Sequence, residues 1–465
     1  MNGVSSTRVK LFPPSSPDDL RNISGLLTFN KIAEKIIAEI IISDMKKFID
    51  PSQYANQKGL SLQHYLIKLI NQILVDTDKN SSGEVTAVLA TLFDWKEAFP
   101  RQCPKLGIEA FMKCGVRNAL IPMLINYLQD RTMQVKWHGK TSSVRKLNGG
   151  GPQGATFGIW EYLAQSNNNA DCIEPNYRFK FVDDLTVLGK IKLLLIGLTS
   201  FNFKQSVHSD IAMHNQFIPA DNLKSQNYLN TIKEWSDNQK MILNQKKTKS
   251  MIFNFTDNFQ FNTRLSLNNE NIEIVDNTKL LGVIVSNDLK WKKNTEYLVK
   301  KANNRLVLLR KVASFSKYRE DLKNIYILYV RSILEQACVV WHSSLTQENS
   351  EDLERVQKSA TKIIMGDKYE NALEEINLQT LYERRENLCL TFAKKILENE
   401  KMKDMFPLNY KSNIQVRNRE KYEVTNAKTD RLKKSAIPYM QNMLNMDEIK
   451  NKKTKSKNKK IRQPG

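Results

Sequence analysis

One segment constrains the fold more than any other. Residues 85–93 have the sequence VTAVLATLF, which contains no charged side chain. A continuous apolar run of this length, rich in β-branched residues, is typical of a strand that is buried on both faces. The run ends at Asp94. An acid at the end of a buried strand can present its carboxylate to a cleft. We therefore expect a covered sheet with a functional carboxylate at one end.

The remaining patterns are mostly helical. Apolar residues repeat at spacings of three and four over residues 32–41, over 62–73 and again from Thr295 onward, which predicts amphipathic helices. Further strands are predicted over residues 249–255 and 279–285. Residues 177–188, with the sequence YRFKFVDDLTVL, predict a strand, a tight turn and a second strand. Together these patterns indicate an α+β fold.

Charge and composition limit the possible partners. Lysine and arginine total 71 and aspartate and glutamate 49, so the formal net charge is +22. This favours nucleic acid as a partner, and an anionic membrane surface second. The longest strongly apolar run, residues 193–198, is too short to span a bilayer, and residues 1–17 lack the apolar core of a signal peptide. We expect an intracellular protein of the cytoplasm, the nucleus or both, with no membrane contact.

The five cysteines include no pair with C-x-x-C spacing, which argues against a disulfide scaffold and a zinc knuckle. The acidic residues are more informative. Asp94 and the pair Asp183-Asp184 lie beside predicted strands, and carboxylates that converge from adjacent strands form an all-oxygen site that suits Mg²⁺. Such a cluster is electrostatically unfavourable unless a cation occupies it. Two ions about 4 Å apart can activate an attacking hydroxyl and stabilise a leaving group.

Each motif taken alone also fits a purely structural role. A second acidic pair, Asp18-Asp19, lies among prolines and serines and is interpreted as a solvated loop. The other motifs have similar alternatives: Phe99 as a core aromatic, residues 151–154 as a plain turn, Lys246 to Lys249 as a solvated run and Arg21 as a surface residue. The specific signal is the order in which the motifs occur.

That order resembles the palm and adjoining motifs of reverse transcriptases, especially those of non-LTR retrotransposons. The motifs are FDWKEAF at 93–99, GPQG at 151–154, FVDDL at 181–185, NQKKTK at 244–249 and LLG at 280–282. The resemblance extends from about Arg21 to Gly366, and residues 304–364 resemble the helical thumb and post-thumb region. Val182 departs from the family pattern, which usually has a smaller residue before the acidic pair.

The resemblance implies a role for each acid. Asp94 and Asp183 would be the main metal-binding carboxylates and Asp184 the neighbouring acid, holding two Mg²⁺ ions, for which Mn²⁺ could substitute. Phe99 would lie under the incoming sugar as a steric gate that favours dNTP over rNTP. Leu281-Gly282 matches the turn that grips the primer.

The resemblance also implies a nucleotide pocket. Gln153 and Gly154 would shape the site for the nucleotide and the template base, since glycine permits close backbone approach. Lys247 would be the lysine near the triphosphate, with Lys249 as the rival assignment. Arg21 resembles the arginine of the fingers that contacts the triphosphate, because a guanidinium suits phosphate geometry.

The implied architecture is a right-hand polymerase with fingers, a small antiparallel palm sheet, a thumb and a helical C-terminal region. The expected divisions are a disordered lead-in (1–17), partial fingers (18–84), a palm with fingers insertions (85–290), a helical thumb and post-thumb region (291–400), an uncertain C-terminal region (401–448) and a disordered basic tail (449–465). The chain is expected to be an N-terminally truncated form of the element's polyprotein.

The implied function is RNA-directed DNA synthesis, in which a DNA primer 3′-hydroxyl on an RNA template is extended with dNTPs. The alternative is a catalytically inactive, nucleic-acid-binding relic of such an element. A host polymerase such as a telomerase or an intron maturase is less well supported, since the thumb pattern favours the retrotransposon group.

Overall fold

The computed structural model describes residues 2–9, 20–25, 28–78, 85–137, 139–151, 155–193, 220–255, 264–316, 318–366, 369–409 and 421–461. The strands in these ranges are β1 (Asn2–Val9), β2 (Leu20–Gly25), β3 (Val85–Phe93), β4 (Trp95–Lys96), β5 (Thr132–Trp137), β6 (Lys140–Thr141), β7 (Arg145–Lys146), β8 (Arg178–Phe181), β9 (Asp184–Leu193), β10 (Ile242–Leu243), β11 (Lys249–Phe253), β12 (Ser266–Leu267), β13 (Glu270–Asn271), β14 (Glu273–Ile274), β15 (Asn277–Leu280) and β16 (Val283–Ser286).

The helices in the same ranges are α1 (Thr28–Met45), α2 (Leu62–Asp76), α3 (Pro104–Lys113), α4 (Ile121–Leu128), α5 (Thr156–Gln165), α6 (Ala220–Asn238), α7 (Lys292–Phe315), α8 (Arg319–Ile325), α9 (Ser332–Leu334), α10 (Cys338–Trp341), α11 (Gln347–Met365), α12 (Tyr369–Glu375), α13 (Leu381–Leu397), α14 (Asp430–Lys433) and α15 (Ala436–Ile461). None of the described helices is both long enough and apolar enough to cross a membrane.

Strand β3 lies at the centre of the main sheet, whose strand order is β14-β11-β3-β9-β8. It pairs antiparallel with β9 on one side and with β11 on the other. Among the described strands of this sheet, only the short edge strand β14 runs parallel to its neighbour, β11. The predicted strand over residues 85–93 and the α+β class, with a small, largely antiparallel sheet and a helical C-terminal region, are confirmed. The finer division into fingers, palm and thumb boundaries stays a prediction.

Both faces of β3 are covered, which explains its uninterrupted apolar sequence. Val88 and Ala90 belong to the largest core, which the sheet shares with α2 and the helical C-terminal region. Ala87 and Leu89 belong to a second core that contains residues of α6. A third core joins α1, α3, α4 and α5. Burying a valine or leucine side chain contributes roughly 1.5–3 kcal/mol of hydrophobic free energy, so the sheet is held from both sides.

The expected disordered lead-in over residues 1–17 is wrong for Asn2–Val9, which form β1. This strand pairs antiparallel with β2 and parallel with β5. Its own sequence is polar and gives no strand signal. Pairing with two neighbours supplies the backbone hydrogen bonds that local propensity does not predict.

Residues 279–285 form two strands instead of the single strand that the sequence predicts. A two-residue turn at Leu281 and Gly282, with φ values of 48° and 87°, joins β15 to β16. A tight antiparallel hairpin needs positive φ at such positions, and glycine adopts it without strain. The turn coincides with Leu281-Gly282, the pair that the resemblance matches to the turn that grips the primer. Hydrophobic periodicity does not reveal this turn, because the residues on both sides of it are apolar.

The disordered tail expected over residues 449–465 is wrong as far as Ile461, because α15 runs without a break to that residue. Ile437, Met440 and Leu444 anchor the first half of this helix in the largest core. Extending an existing helix is easier than nucleating one, and lysine is a good helix former. The run of basic residues from 449 onward therefore did not by itself indicate that the helix continues through it.

The sequence of residues 401–448 shows no clear pattern. The described parts of this region, residues 401–409 and 421–448, pack back onto α2. Met402, Phe406 and Tyr422 are buried in the largest core. Asp78, just beyond the end of α2, accepts hydrogen bonds from the backbone N–H of Thr429 (2.9 Å) and from its hydroxyl (2.7 Å). These contacts tie the C-terminal region to the helix that supports the central sheet.

Candidate active site

The strand pairing brings the predicted acids to one end of the central sheet. Phe93 of β3 lies opposite Leu185 of β9, so Asp94 and Asp184 follow at the same end of two neighbouring strands. Phe181 pairs with Asp184 across the β8–β9 hairpin, which leaves Asp183 at its tip. Asp94 and the pair Asp183-Asp184, which lie far apart in the sequence, therefore meet at one site.

Asp94 is held by the turn between β10 and β11. Its backbone N–H donates to the hydroxyl of Thr248 (3.4 Å), and its carbonyl accepts the N–H of Asn244 (2.7 Å). Burial raises the pKa of the Asp94 carboxyl, the nearby Lys247 ammonium and a hydrogen bond from the Asn244 side chain lower it, and Asp183 raises it. The net pKa lies above its usual range. Asp94 thus sits between a compensating lysine and a repelling carboxylate.

Asp184 shows the repulsion most clearly. Burial, followed by the negative charges of Asp183 and Asp94, raises the pKa of its carboxyl to about 7. Burial, followed by the charges of Asp183 and Asp184, raises the pKa of the Tyr162 hydroxyl. A carboxylate in this position is stabilised by a bound cation, because opposite charge favours the ionised form.

We expect this repulsion to appear as a pH dependence of stability in the absence of divalent cations. An acid whose folded pKa is raised binds more protons when folded, so the free energy of unfolding falls as pH rises from about 4 toward 7. Asp184→Asn is expected to remove the contribution of Asp184 to this pH dependence, on the order of 4 kcal/mol at pH 8 and little at pH 4. Denaturant unfolding at both pH values measures this.

Glu161 requires a control in that experiment, because burial raises its pKa to about 7 as well. The difference between wild type and Asp184→Asn cancels the Glu161 contribution. Asp237→Asn, at an exposed residue that pairs with Lys233 on α6, is the matched control and should leave the pH dependence unchanged. An unaltered pH dependence in Asp184→Asn would show that Asp184 is not repelled by its neighbours.

The aromatic residue five positions after Asp94 also lies at this site. The half-buried ring of Phe99 stacks on Tyr162, with ring centroids 5.2 Å apart. Tyr162 is completely buried and within electrostatic reach of Asp183 and Asp184. Phe99 therefore covers a buried tyrosine beside the acids, which places an aromatic face at the edge of the site.

The glycine-rich loop is bound to the turn that carries Phe99. The N–H of Gly151 donates to the carbonyl of Phe99 (2.9 Å), and the N–H of Gly150 to that of Gln102 (2.8 Å). Gly150 has a φ of 80°, and a Cβ there would lie 2.7 Å from the carbonyl oxygen of Pro100. Glycine is required here both for the backbone conformation and for the close approach.

The two lysines that compete for one role lie in different surroundings. The charge of Lys247 acts on Asp94, whereas Lys249 forms an ion pair with Glu273 (3.3 Å) across β11 and β14. This geometry favours Lys247 as the lysine of the site. Arg21 lies in β2, where its backbone pairs with Arg8 of β1.

Gln153 and Gly154, the other predicted nucleotide-binding residues, lie outside the described residues. Two residues that touch the site, Tyr162 and Thr248, were not singled out from the sequence. Thr248 lies inside the lysine-rich motif and directly before the predicted strand over residues 249–255. That position was the sequence signal that could have identified it as a site residue. Nothing local distinguishes Tyr162 from an ordinary core aromatic.

Among the described residues, no group of three or more His, Cys, Asp or Glu side chains is arranged so that it could hold a metal ion by itself. Mg²⁺ seldom needs such a cage, because it keeps several waters and is bound by one or two carboxylates together with substrate phosphates. The donor set of Asp94, Asp183 and Asp184 is chemically suited to this open mode of binding.

Comparison with known proteins gives one informative match. No protein-family model matches the chain. The probable RNA-directed DNA polymerase from transposon X-element of Drosophila melanogaster is 24% identical over 243 residues, which is 52% of this chain and 24% of that protein. The chain thus spans about a quarter of the length of this curated relative.

Solved structures of telomerase from Candida tropicalis are also similar. The complex with the TWJ fragment of telomeric RNA has a TM-score of 0.41 at 11% identity, covering 85% of this chain and 58% of the telomerase. The apo form has a TM-score of 0.39 at 12% identity, covering 86% and 62%. Similarities of this size carry no argument about this chain.

Over about half of its length, this chain is thus similar in sequence to a transposon RNA-directed DNA polymerase.

Proposed function

We propose that this chain is the polymerase part of a non-LTR retrotransposon, an RNA-directed DNA polymerase that extends a primer 3′-hydroxyl with dNTPs. The observation that carries the proposal is the convergence of Asp94, Asp183 and Asp184 at one end of the central sheet. The transposon relative supports the same class of enzyme. RNA template, DNA primer and dNTP would be its substrates.

The reaction would use the residues of the site as follows. Asp94, Asp183 and Asp184 would hold two Mg²⁺ ions, with Mn²⁺ as a substitute, together with triphosphate oxygens. When bound, the ions would lower the pKa of the primer hydroxyl and stabilise charge on the leaving pyrophosphate. Asp184 would lose its proton as cations bind, and Lys247 would offer its ammonium to the triphosphate.

The helical C-terminal region offers a surface for the template–primer duplex. Along α7, exposed basic side chains recur on the outward side, while Leu298, Ala302 and Leu306 are buried on the other. The exposed basic residues of α7 are Lys292, Lys293, Lys300, Arg305, Arg310 and Lys311. A basic helix of this kind would contact phosphates without reading sequence, so its affinity should fall with rising salt.

The test is primer extension on an RNA template by the purified chain in Mg²⁺, with Asp183→Asn as the inactive counterpart. Template-dependent dNTP incorporation by the wild type alone supports the proposal. Salt-dependent duplex binding without any incorporation would instead assign the chain to inactive, nucleic-acid-binding relics.

Phe99→Ala is expected to weaken discrimination against ribonucleotides. Removing the ring that stacks on Tyr162 opens space where a 2′-hydroxyl would otherwise clash. The ratio of kcat/KM for dNTP to that for rNTP should fall by at least about 10-fold, the usual scale for a change in pocket size. Single-nucleotide incorporation kinetics measure it. Phe29→Ala, at an exposed phenylalanine of α1, is the matched control, and an unchanged ratio in Phe99→Ala would remove Phe99 from the site.

A further inference from the structure

The acid-bearing hairpin is supported by a segment that comes from another part of the fold. Residues 50–54, here called the brace segment, lie between α1 and α2 and run alongside β8. The N–H of Lys180 donates to the carbonyl of Ser52 (3.0 Å), and the N–H of Tyr54 donates to the carbonyl of Lys180 (2.9 Å). Gln53 and Lys180 form a parallel bridge. The brace segment therefore extends the central sheet past β8.

A buried ion cluster fixes the brace segment to the base of the hairpin. The carboxylate of Asp50 contacts Lys180 Nζ at 2.6 Å and Arg178 Nε at 3.1 Å, and all three side chains are nearly inaccessible to solvent. Burial raises the pKa of Asp50, but the charge of Lys180, together with hydrogen bonds from Lys180, the Ser52 N–H and Arg178, outweighs burial and lowers the pKa overall. Asp50 is thus ionised, and its backbone N–H donates to Asn167 Oδ1 (2.8 Å). The base of the hairpin cannot shift without breaking a buried charge pair.

Gln53 reaches the tip of the same hairpin. Its Oε1 accepts the N–H of Val182 (3.2 Å) and the N–H of Ala55 (3.0 Å), and only 3% of the residue is exposed. Val182 has a φ of 57°, a left-handed conformation that a β-branched residue rarely adopts. Surrounding contacts must hold such a residue in place. The residue that follows it is Asp183.

We propose that Gln53 is a positioning residue that holds the left-handed turn at Val182 and thereby places the carboxylate of Asp183 for cation binding. The chain uses a buried amide oxygen for this task because the Val182 N–H points away from the hairpin toward the brace segment. Gln53 does not touch the substrate. The expected effect of Gln53 on catalysis rests on the proposed function. Its expected effect on the Val182 turn and on the position of Asp183 rests on the hairpin geometry.

The experiment compares Gln53→Met with wild type. Methionine keeps the length and volume of glutamine but cannot accept the two N–H groups. Gln53→Met should weaken Mn²⁺ binding, measured by electron paramagnetic resonance, and lower kcat, each by about 10-fold, which is the scale of losing a supporting hydrogen bond behind a metal site. The KM for dNTP should stay within about twofold of wild type, since uniform binding is untouched. Hydrogen exchange at the Val182 amide should accelerate.

Gln441→Met is the matched control. Gln441 is buried in α15, and its Oε1 accepts the N–H (2.8 Å) and the hydroxyl (3.0 Å) of Thr425, far from the acids in the sequence and on other elements. Gln441→Met loses the same number of accepted hydrogen bonds and also the one that Nε2 donates to the carbonyl of Met405 (2.9 Å), so its stability should fall at least as much, with Mn²⁺ affinity unchanged. Gln53→Asn, which withdraws the oxygen by one methylene, is the second variant should the methionine variant fail to fold.

The outcomes separate the two proposals. The positioning role of Gln53 would be overturned if Gln53→Met bound Mn²⁺ with wild-type affinity and exchanged the Val182 amide hydrogen at the wild-type rate. The same criterion applies to Gln53→Asn where that variant is used. The proposed function would be refuted if the wild-type protein bound Mn²⁺, lost that binding in Asp183→Asn, and yet incorporated no dNTP. The Mn²⁺ binding and hydrogen-exchange data would then decide the role of Gln53. Failure of the wild type to bind Mn²⁺ would overturn both.

Discussion

Asp183→Asn and Asp94→Asn are each expected to lower RNA-templated dNTP incorporation by at least about 10³-fold, because a metal site supplies several kcal/mol of transition-state stabilisation and each 1.4 kcal/mol is a factor of ten. The asparagine side chain is isosteric but lacks the charge that holds a cation. Neither variant should lose stability, since the substitution relieves repulsion among the three acids. Primer extension under single-turnover conditions, with thermal unfolding alongside, measures both effects.

Duplex binding provides the internal control for these variants. The affinity for a template–primer duplex should remain within a few-fold of wild type, because phosphate contacts by basic side chains dominate it. Asp237→Asn, which breaks only a surface ion pair, should extend primers at the wild-type rate. Incorporation by Asp183→Asn at the wild-type rate would show that the hairpin acid is not part of a catalytic site.

Truncation after residue 400 is expected to prevent stable folding of the helical C-terminal region. It removes side chains that fill the largest core: Met402, Phe406, Tyr422, Leu432, Ile437, Met440 and Leu444. At about 1.5–3 kcal/mol each, their burial contributes on the order of 10–20 kcal/mol. That matches or exceeds the net stability of a typical domain, about 5–15 kcal/mol. Circular dichroism and cooperative thermal unfolding of the purified product measure the loss.

A shorter truncation tests whether the effect comes from the core or merely from shortening the chain. Ending the chain after Lys450 keeps every one of those buried residues and removes only the last part of α15 and the residues beyond it. Its thermal stability should equal that of the full chain, while its duplex affinity at low salt should fall with the lost lysines. Cooperative unfolding of the residue-400 truncation at the wild-type temperature would show that residues 401–461 do not contribute to the core.

Parts of the fold could be predicted because their signals are local. The run over residues 85–93 predicts β3, since a short, uncharged run rich in β-branched residues is typical of a strand covered on both faces. Apolar residues that repeat at spacings of three and four predict α1 and α2, because this spacing places them on one face of a helix. β1 could not be predicted, because its polar sequence becomes a strand only through pairing with β2 and β5.

In the candidate site, too, some residues could be predicted from the sequence and others could not. The acids stand out in the sequence because each adjoins a strand. The choice between Lys247 and Lys249 required the structure, since neighbouring residues of one turn and strand face different partners, Asp94 and Glu273. The contribution of Gln53 could not be seen at all, because its partner Val182 is 129 residues away.

By itself, the sequence determined which segments are strands or helices wherever hydrophobic periodicity is strong, and which acids end or join those strands. Only the tertiary structure decided which strands are neighbours, that the three acids share one site, and what holds the hairpin that carries two of them. The physical reason is that periodicity reflects burial of one segment, whereas hydrogen bonds and charge interactions between distant segments exist only after the chain has brought them together.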